Sequence, residues 1–104
     1  MDRAEKLIQF LKDSPNDSFL KHALALEYVK AGDDMKAEII FSEILKEHED
    51  YVGSYYHLGK LHERKGELQP ALNVYAKGME IAKKVGDNHA FNELRSAWEE
   101  LCEP

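Results

Sequence analysis

Residues of matching character recur at a separation of 34. Leu24 pairs with Leu58, Gly32 with Gly66, and Ala37 with Ala71. Phe41 answers to Tyr75 and Tyr28 to His62, so large planar residues meet large ones; Ala25 answers to Gly59, small to small. Agreement at one pair is cheap. Agreement at a turn glycine, at small residues and at large residues together marks a duplicated unit. A unit of that length cannot bury its apolar side alone, so copies must stack and share a core.

Within each copy the local signals are helical. Ser18 to Ala31 carries Leu20, Leu24 and Tyr28 at four-residue steps, with Ala31 closing the stripe. Gly32 ends that helix, because glycine adopts the left-handed conformation of a C-terminal cap. Asp33 or Asp34 caps the next, whose stripe is Ala37, Ile40, Phe41, Ile44 and Leu45. The second copy repeats the plan. Tyr55, Leu58, Leu61 and His62 precede Gly66, and Leu68, Ala71, Leu72, Tyr75, Met79 and Ala82 follow it. Pro70 falls in the first turn, where a missing N–H does little harm.

The flanks read as half-units. Residues 2–13 form an amphipathic helix with Ala4, Leu7, Ile8, Phe10 and Leu11 apolar. Ser14-Pro15-Asn16-Asp17 stops it, with Asn16 or Asp17 as the next N-cap. Residues 87–102 form a last helix with Phe91, Leu94, Trp98 and Leu101 on one side, after a break at Gly86-Asp87. No period-two strand pattern runs long enough to count. The expected chain is all-α, six antiparallel helices with short connections.

Composition narrows the function classes. Apolar residues make up 43% and ten aromatics can seed a core, which argues against disorder despite 33% charged residues. No apolar run approaches the roughly 20 residues of a membrane helix. Met1 to Lys6 shows no apolar leader, so no secretory signal is expected. Cys102 is the single cysteine, which excludes an internal disulfide framework. These features point to a soluble cytoplasmic protein. The net charge is −6, with residues 1–52 at −5 and 53–104 at −1. Nucleic acid needs clustered Lys and Arg, and the only tight clusters, Arg64-Lys65 and Lys83-Lys84, sit in acidic surroundings. Neither nucleic acid nor an anionic membrane is an expected partner.

The repeat resembles the tetratricopeptide repeat, a 34-residue helix–turn–helix unit with the pattern W-x2-L-G-x2-Y…A-x3-F…P. The chain has Lys21-x2-Leu24-Ala25-x2-Tyr28…Ala37-x3-Phe41, then Tyr55-x2-Leu58-Gly59-x2-His62…Ala71-x3-Tyr75. Phe91-x2-Leu94-Arg95-x2-Trp98 restarts the pattern at an offset of 36, with two extra residues near Lys83 to Asp87. Lys21, His62 and Arg95 depart from the pattern. The resemblance implies a short right-handed superhelix, an α-solenoid. It divides one domain, 1–104, into an N-terminal half-repeat helix (2–13), repeats at 18–51 and 52–85, and a capping helix (87–102).

Such stacks curve around a concave face lined by the first helix of each pair. The side of each first helix away from its core stripe carries Phe19, His22, Leu26, Val29 and Lys30, then Gly53, Tyr56, Lys60, Glu63 and Arg64, then His89, Asn92, Ser96 and Glu99. The expected binding set is Phe19, His22, Leu26, Lys30, Tyr56, Lys60, Arg64, His89 and Asn92. Its apolar end and basic centre suit a peptide of another protein with an apolar anchor and a carboxylate. The plainer alternative leaves Lys60 and Arg64 solvated, paired with Glu63 and Glu67. Family members that clamp chaperone tails need Lys and Asn where this chain has His22 and Leu26, and Asn at His57; that clamp is not expected here.

Other chemistry finds little footing. His57 and His62 are five apart and diverge by about 140° on a helix at 100° per residue, and no second cysteine joins Cys102, so no metal or other cofactor is expected. Ser18, Ser42, Ser54 and Ser96 lie in helical segments without a G-x-S-x-G turn, and no Gly-rich phosphate loop is present. The chain is not expected to be an enzyme. The competing role is structural, through homo-oligomerisation, with Phe19, Leu26 and Val29 meeting a second copy as a homodimer.

Overall fold

Four aspartates begin four of the helices. In the computed structural model, which describes residues 1–103, carboxylates of Asp2, Asp17, Asp33 and Asp87 accept backbone N–H bonds from Glu5, Leu20, Lys36 and Ala90 at 2.8–3.2 Å. Each satisfies a donor that a helix N-terminus leaves open. The helices are α1 (Arg3–Asp13), α2 (Ser18–Lys30), α3 (Asp34–Glu47), α4 (Gly53–Arg64), α5 (Leu68–Val85) and α6 (Asn88–Cys102), with no strand among the described residues. Of the alternatives open in the sequence, Asp17 and Asp33 are the caps.

Glycine ends α2 and α4. Gly32 and Gly66 hold φ of 80° and 77°. The following N–H then reaches back five residues, Asp33 to the Tyr28 carbonyl at 2.8 Å and Glu67 to the His62 carbonyl at 2.9 Å. This double-turn closure satisfies carbonyls the helix end would leave open. The two extra residues near Lys83 are absorbed by α5, which has 18 residues against 14 in α3.

The helices gather into two compact units, Met1–His48 and Glu49 onward. In the first, α2 packs against α1 and α3. Leu7, Ala23 and Leu24 form a core, with Ala4, Leu11, Leu20, Tyr28 and Ile40 around it. Ala37, Phe41 and Ile44 bury the inner side of α3 completely. In the second unit α5 packs against both α4 and α6, and α4 also touches α6. Tyr75, Leu61 and Leu94 are its large fully buried side chains. Full burial of such a side chain stabilises by about 1.5–3 kcal/mol. Two glycines permit this packing. A methyl at Gly59 would overlap the Tyr75 ring, and one at Gly78 would lie 2.7 Å from Tyr55 Cβ and 2.9 Å from a Leu94 methyl.

α4 starts without a side-chain cap. Instead the Tyr55 hydroxyl donates to the Glu49 carbonyl at 2.6 Å and ties the incoming segment to the helix. Burial, with Glu49, Asp50 and Glu80 nearby, pushes this phenol up to about 12.

Several expected core positions are open. Leu68 is exposed at the start of α5, and Ala31 is exposed as the cap of α2. On α1 only Leu7 is buried, while Ile8 and Phe10 flank the contact side and face solvent. On α6 the buried line is Ala90, Leu94 and Ala97, so Phe91, Trp98 and Leu101 sit half-buried at its edge. Small residues allow the backbone of α6 to approach closely, and its aromatics are displaced to the rim. No helix among the described residues is long and apolar enough to cross a membrane.

Candidate functional site

On α2, buried Ala23, Leu24 and Ala25 turn the remaining side outward. Phe19 is 70% exposed, Leu26 and Val29 are half-buried, and Lys30 is exposed. Lys30 lies 3.8 Å from Glu27, which also receives Arg3 at 3.3 Å. His22 is half-buried, its ring edge-on to Phe41 at 5.4 Å. The α2 face is therefore apolar, with one cation at its C-terminal end.

The corresponding side of α4 is polar. The Lys60 ammonium stands 5.5 Å from the centre of the Tyr56 ring and 3.4 Å from a Glu63 carboxylate oxygen. The buried Tyr75 hydroxyl donates to that same Glu63 oxygen. The Tyr56 and Tyr75 rings lie 6.5 Å apart. Burial and the Glu63 carboxylate both push the Tyr75 phenol far above its ordinary range. Lys60 is thus compensated and not an open charge, as the plainer sequence alternative holds for that pair. Glu67 goes to His62 at 2.8 Å and to Lys65 at 3.4 Å. The His62 hydrogen bond is the main force holding the Glu67 carboxyl below its ordinary value.

Of the expected residues, Tyr56 and Lys60 come together. Arg64 is exposed at the end of α4, and His89 and Asn92 are exposed on α6 outside that cluster. His57 lies beside Tyr56, with ring centres 5.5 Å apart. Its pKa is lowered, chiefly by burial; Glu93 of α6 opposes that shift and Arg64 adds to it. Glu63 and Tyr75 complete the cluster and were absent from the expected set. The period of 34 contains their signal. His22, Leu26, Val29 and Phe41 map onto Tyr56, Lys60, Glu63 and Tyr75, so four positions change character together.

No protein-family model matches the chain, and no curated protein matches it. Solved structures do. A tetratricopeptide repeat domain protein from Salinibacter ruber is similar at 39% identity and a TM-score of 0.80, covering 82% of this chain and 94% of that one. A Bordetella parapertussis protein aligns at 20% identity and a TM-score of 0.84 over 98% of this chain and 89% of its own. The Sgt2 tetratricopeptide domain from Aspergillus fumigatus aligns at 20% identity and 0.73, over 97% and 71%. The last two share the fold; the identity and coverage of the first carry more. The chain belongs to the tetratricopeptide repeat family.

Proposed function

We propose that this protein is an adaptor for a peptide segment of a partner protein, with one candidate surface on the outward side of α2 and another on α4 and α6. Tetratricopeptide repeats are in general protein-interaction modules, and family membership supports that coarser function. The observation that carries the finer one is Phe19, a phenyl ring 70% exposed beside half-buried Leu26 and Val29 on α2. An apolar side that its own chain leaves open suits an apolar anchor of the ligand. Within the second unit Arg64, together with Lys60 once it leaves Glu63, holds the ligand carboxylate, and Tyr56, His89 and Asn92 supply polar contacts; on the first unit Lys30 and His22 flank the apolar side of α2. The single exposed thiol, Cys102, fits a cytoplasmic setting.

The test is a titration with peptides that pair an apolar residue with a free C-terminal carboxylate, against their amide twins. Phe19→Ala and Arg64→Glu should each weaken the acid form several-fold. Equal affinity in both variants and the wild type removes the proposal. Homo-oligomerisation is the second reading, favoured by Phe10, Met35 and Ile39, which are 59%, 77% and 53% exposed. Light scattering across concentration separates the two. A monomer supports the adaptor, and a stable dimer that shields Phe19 supports assembly.

A further inference from the structure

We propose that Glu63, backed by Tyr75 and walled by Tyr56, is a receptor for an arginine side chain of the partner, with Lys60 as its resident stand-in. The inference rests on α4 facing the partner, and it differs from the carboxylate reading in the part Lys60 plays.

The first unit supplies an internal control. At the same register it places His22, Leu26, Val29 and Phe41, where the second unit has Tyr56, Lys60, Glu63 and Tyr75. The aromatic pairing survives the exchange, His22 on Phe41 at 5.4 Å and Tyr56 with Tyr75 at 6.5 Å. An apolar lining therefore satisfies this scaffold. The second unit instead installs a phenol that needs an acceptor, a carboxylate that needs a cation, and a ring that attracts one.

The parts differ in mobility. Tyr75 is fully buried and its hydroxyl anchors Glu63, so the carboxylate is held in place. Lys60 is a long flexible side chain, 31% exposed. Its contact to Glu63 is loose, 3.4 Å against the roughly 2.7–2.9 Å of a good charge-assisted bond, while the ammonium lies toward the outer part of cation–π range, 5.5 Å from the Tyr56 ring centre. A guanidinium improves both contacts, because its planar fork bonds a carboxylate bidentately and its face stacks on an aromatic ring. The chain's net charge of −6 favours an incoming cation over an anion.

The probe is N-acetylargininamide, titrated against the full chain and followed by NMR of the Tyr56 and Tyr75 rings, with N-acetylleucine as the carboxylate counterpart. Lys60→Met should bind the arginine probe about tenfold more tightly than wild type, the scale of one competing charge-assisted contact. Glu63→Gln, which keeps an acceptor for Tyr75, should lose it. So should the graft Tyr56→His, Lys60→Leu, Glu63→Val and Tyr75→Phe, whose helicity should persist because the first unit packs those residues. Arginine affinity that is unchanged in Lys60→Met, or retained in Glu63→Gln, overturns the proposal. The carboxylate reading expects N-acetylleucine to weaken in Lys60→Met. Arginine binding without leucine binding therefore sinks that reading and keeps this one; the converse sinks this one, and silence toward both probes sinks both.

Discussion

At position 59 a hydrogen in place of a methyl decides whether Tyr75 fits its slot. Alanine is the better helix former by about 1 kcal/mol. The clash is with a rigid buried ring, and overpacking of that kind costs about 1–3 kcal/mol. Gly59→Ala should therefore lower the melting temperature, as thermal denaturation will show. Tyr55 gives a second residue-level outcome. Its phenol is raised from 10.0 to about 12, so the folded state favours the protonated form. The stability this supplies is complete below pH 10 and is lost as pH rises through about 12. Denaturant midpoints should fall across that window, and Tyr55→Phe should flatten the fall. The same variant removes the bond to the Glu49 carbonyl and should cost about 1 kcal/mol at neutral pH.

At the scale of the element, the turn joining α4 to α5 solves one problem in a way its counterpart does not. Between α2 and α3, Asp33 caps the helix while Lys36 sits 5.4 Å over the Tyr28 ring. Between α4 and α5 the matching residues are Glu67, Pro70 and His62, and a hydrogen bond between His62 and Glu67 at 2.8 Å replaces both contacts. Because Glu67's pKa is lowered, its stabilisation is present above the ordinary value of 4.5 and is lost as pH falls through the lower folded one. Acid unfolding of wild type should show this loss, and Glu67→Gln should lack it. The element scale also shows what sequence can and cannot carry. Capping by Asp17 and Asp33, and the glycine stops at 32 and 66, depend on neighbours a few residues away and were legible. The helices expected at 2–13, 18–31 and 87–102 lie within about a residue of α1, α2 and α6. Exposure of Phe10 and Leu68 was not legible, because helical periodicity marks an apolar side without saying what covers it. The Glu63–Tyr75 contact joins side chains 12 residues apart on different helices. Only a position-by-position comparison of the two repeats reveals that those side chains changed together.

At the scale of the molecule, charge governs how partners arrive. With 20 acidic and 14 basic side chains, the protein attracts cationic segments over distances set by the Debye length, about 8 Å at physiological salt. Association of a basic peptide should slow as salt is raised from low to physiological strength, and stopped-flow mixing measures it. Dissociation, set by close contacts, should change less. An affinity that ignores salt would place the recognition on the apolar side of α2 alone.

The half-buried indole of α6 has a practical bearing on every such experiment. Trp98 is the sole tryptophan, and it belongs to the unit that begins at Glu49. Its emission is a native lamp for that unit alone, whereas far-ultraviolet dichroism sums both. Recording the two signals on one unlabelled sample apportions a melt, or a ligand's protective effect, between the halves of the chain without introducing a dye.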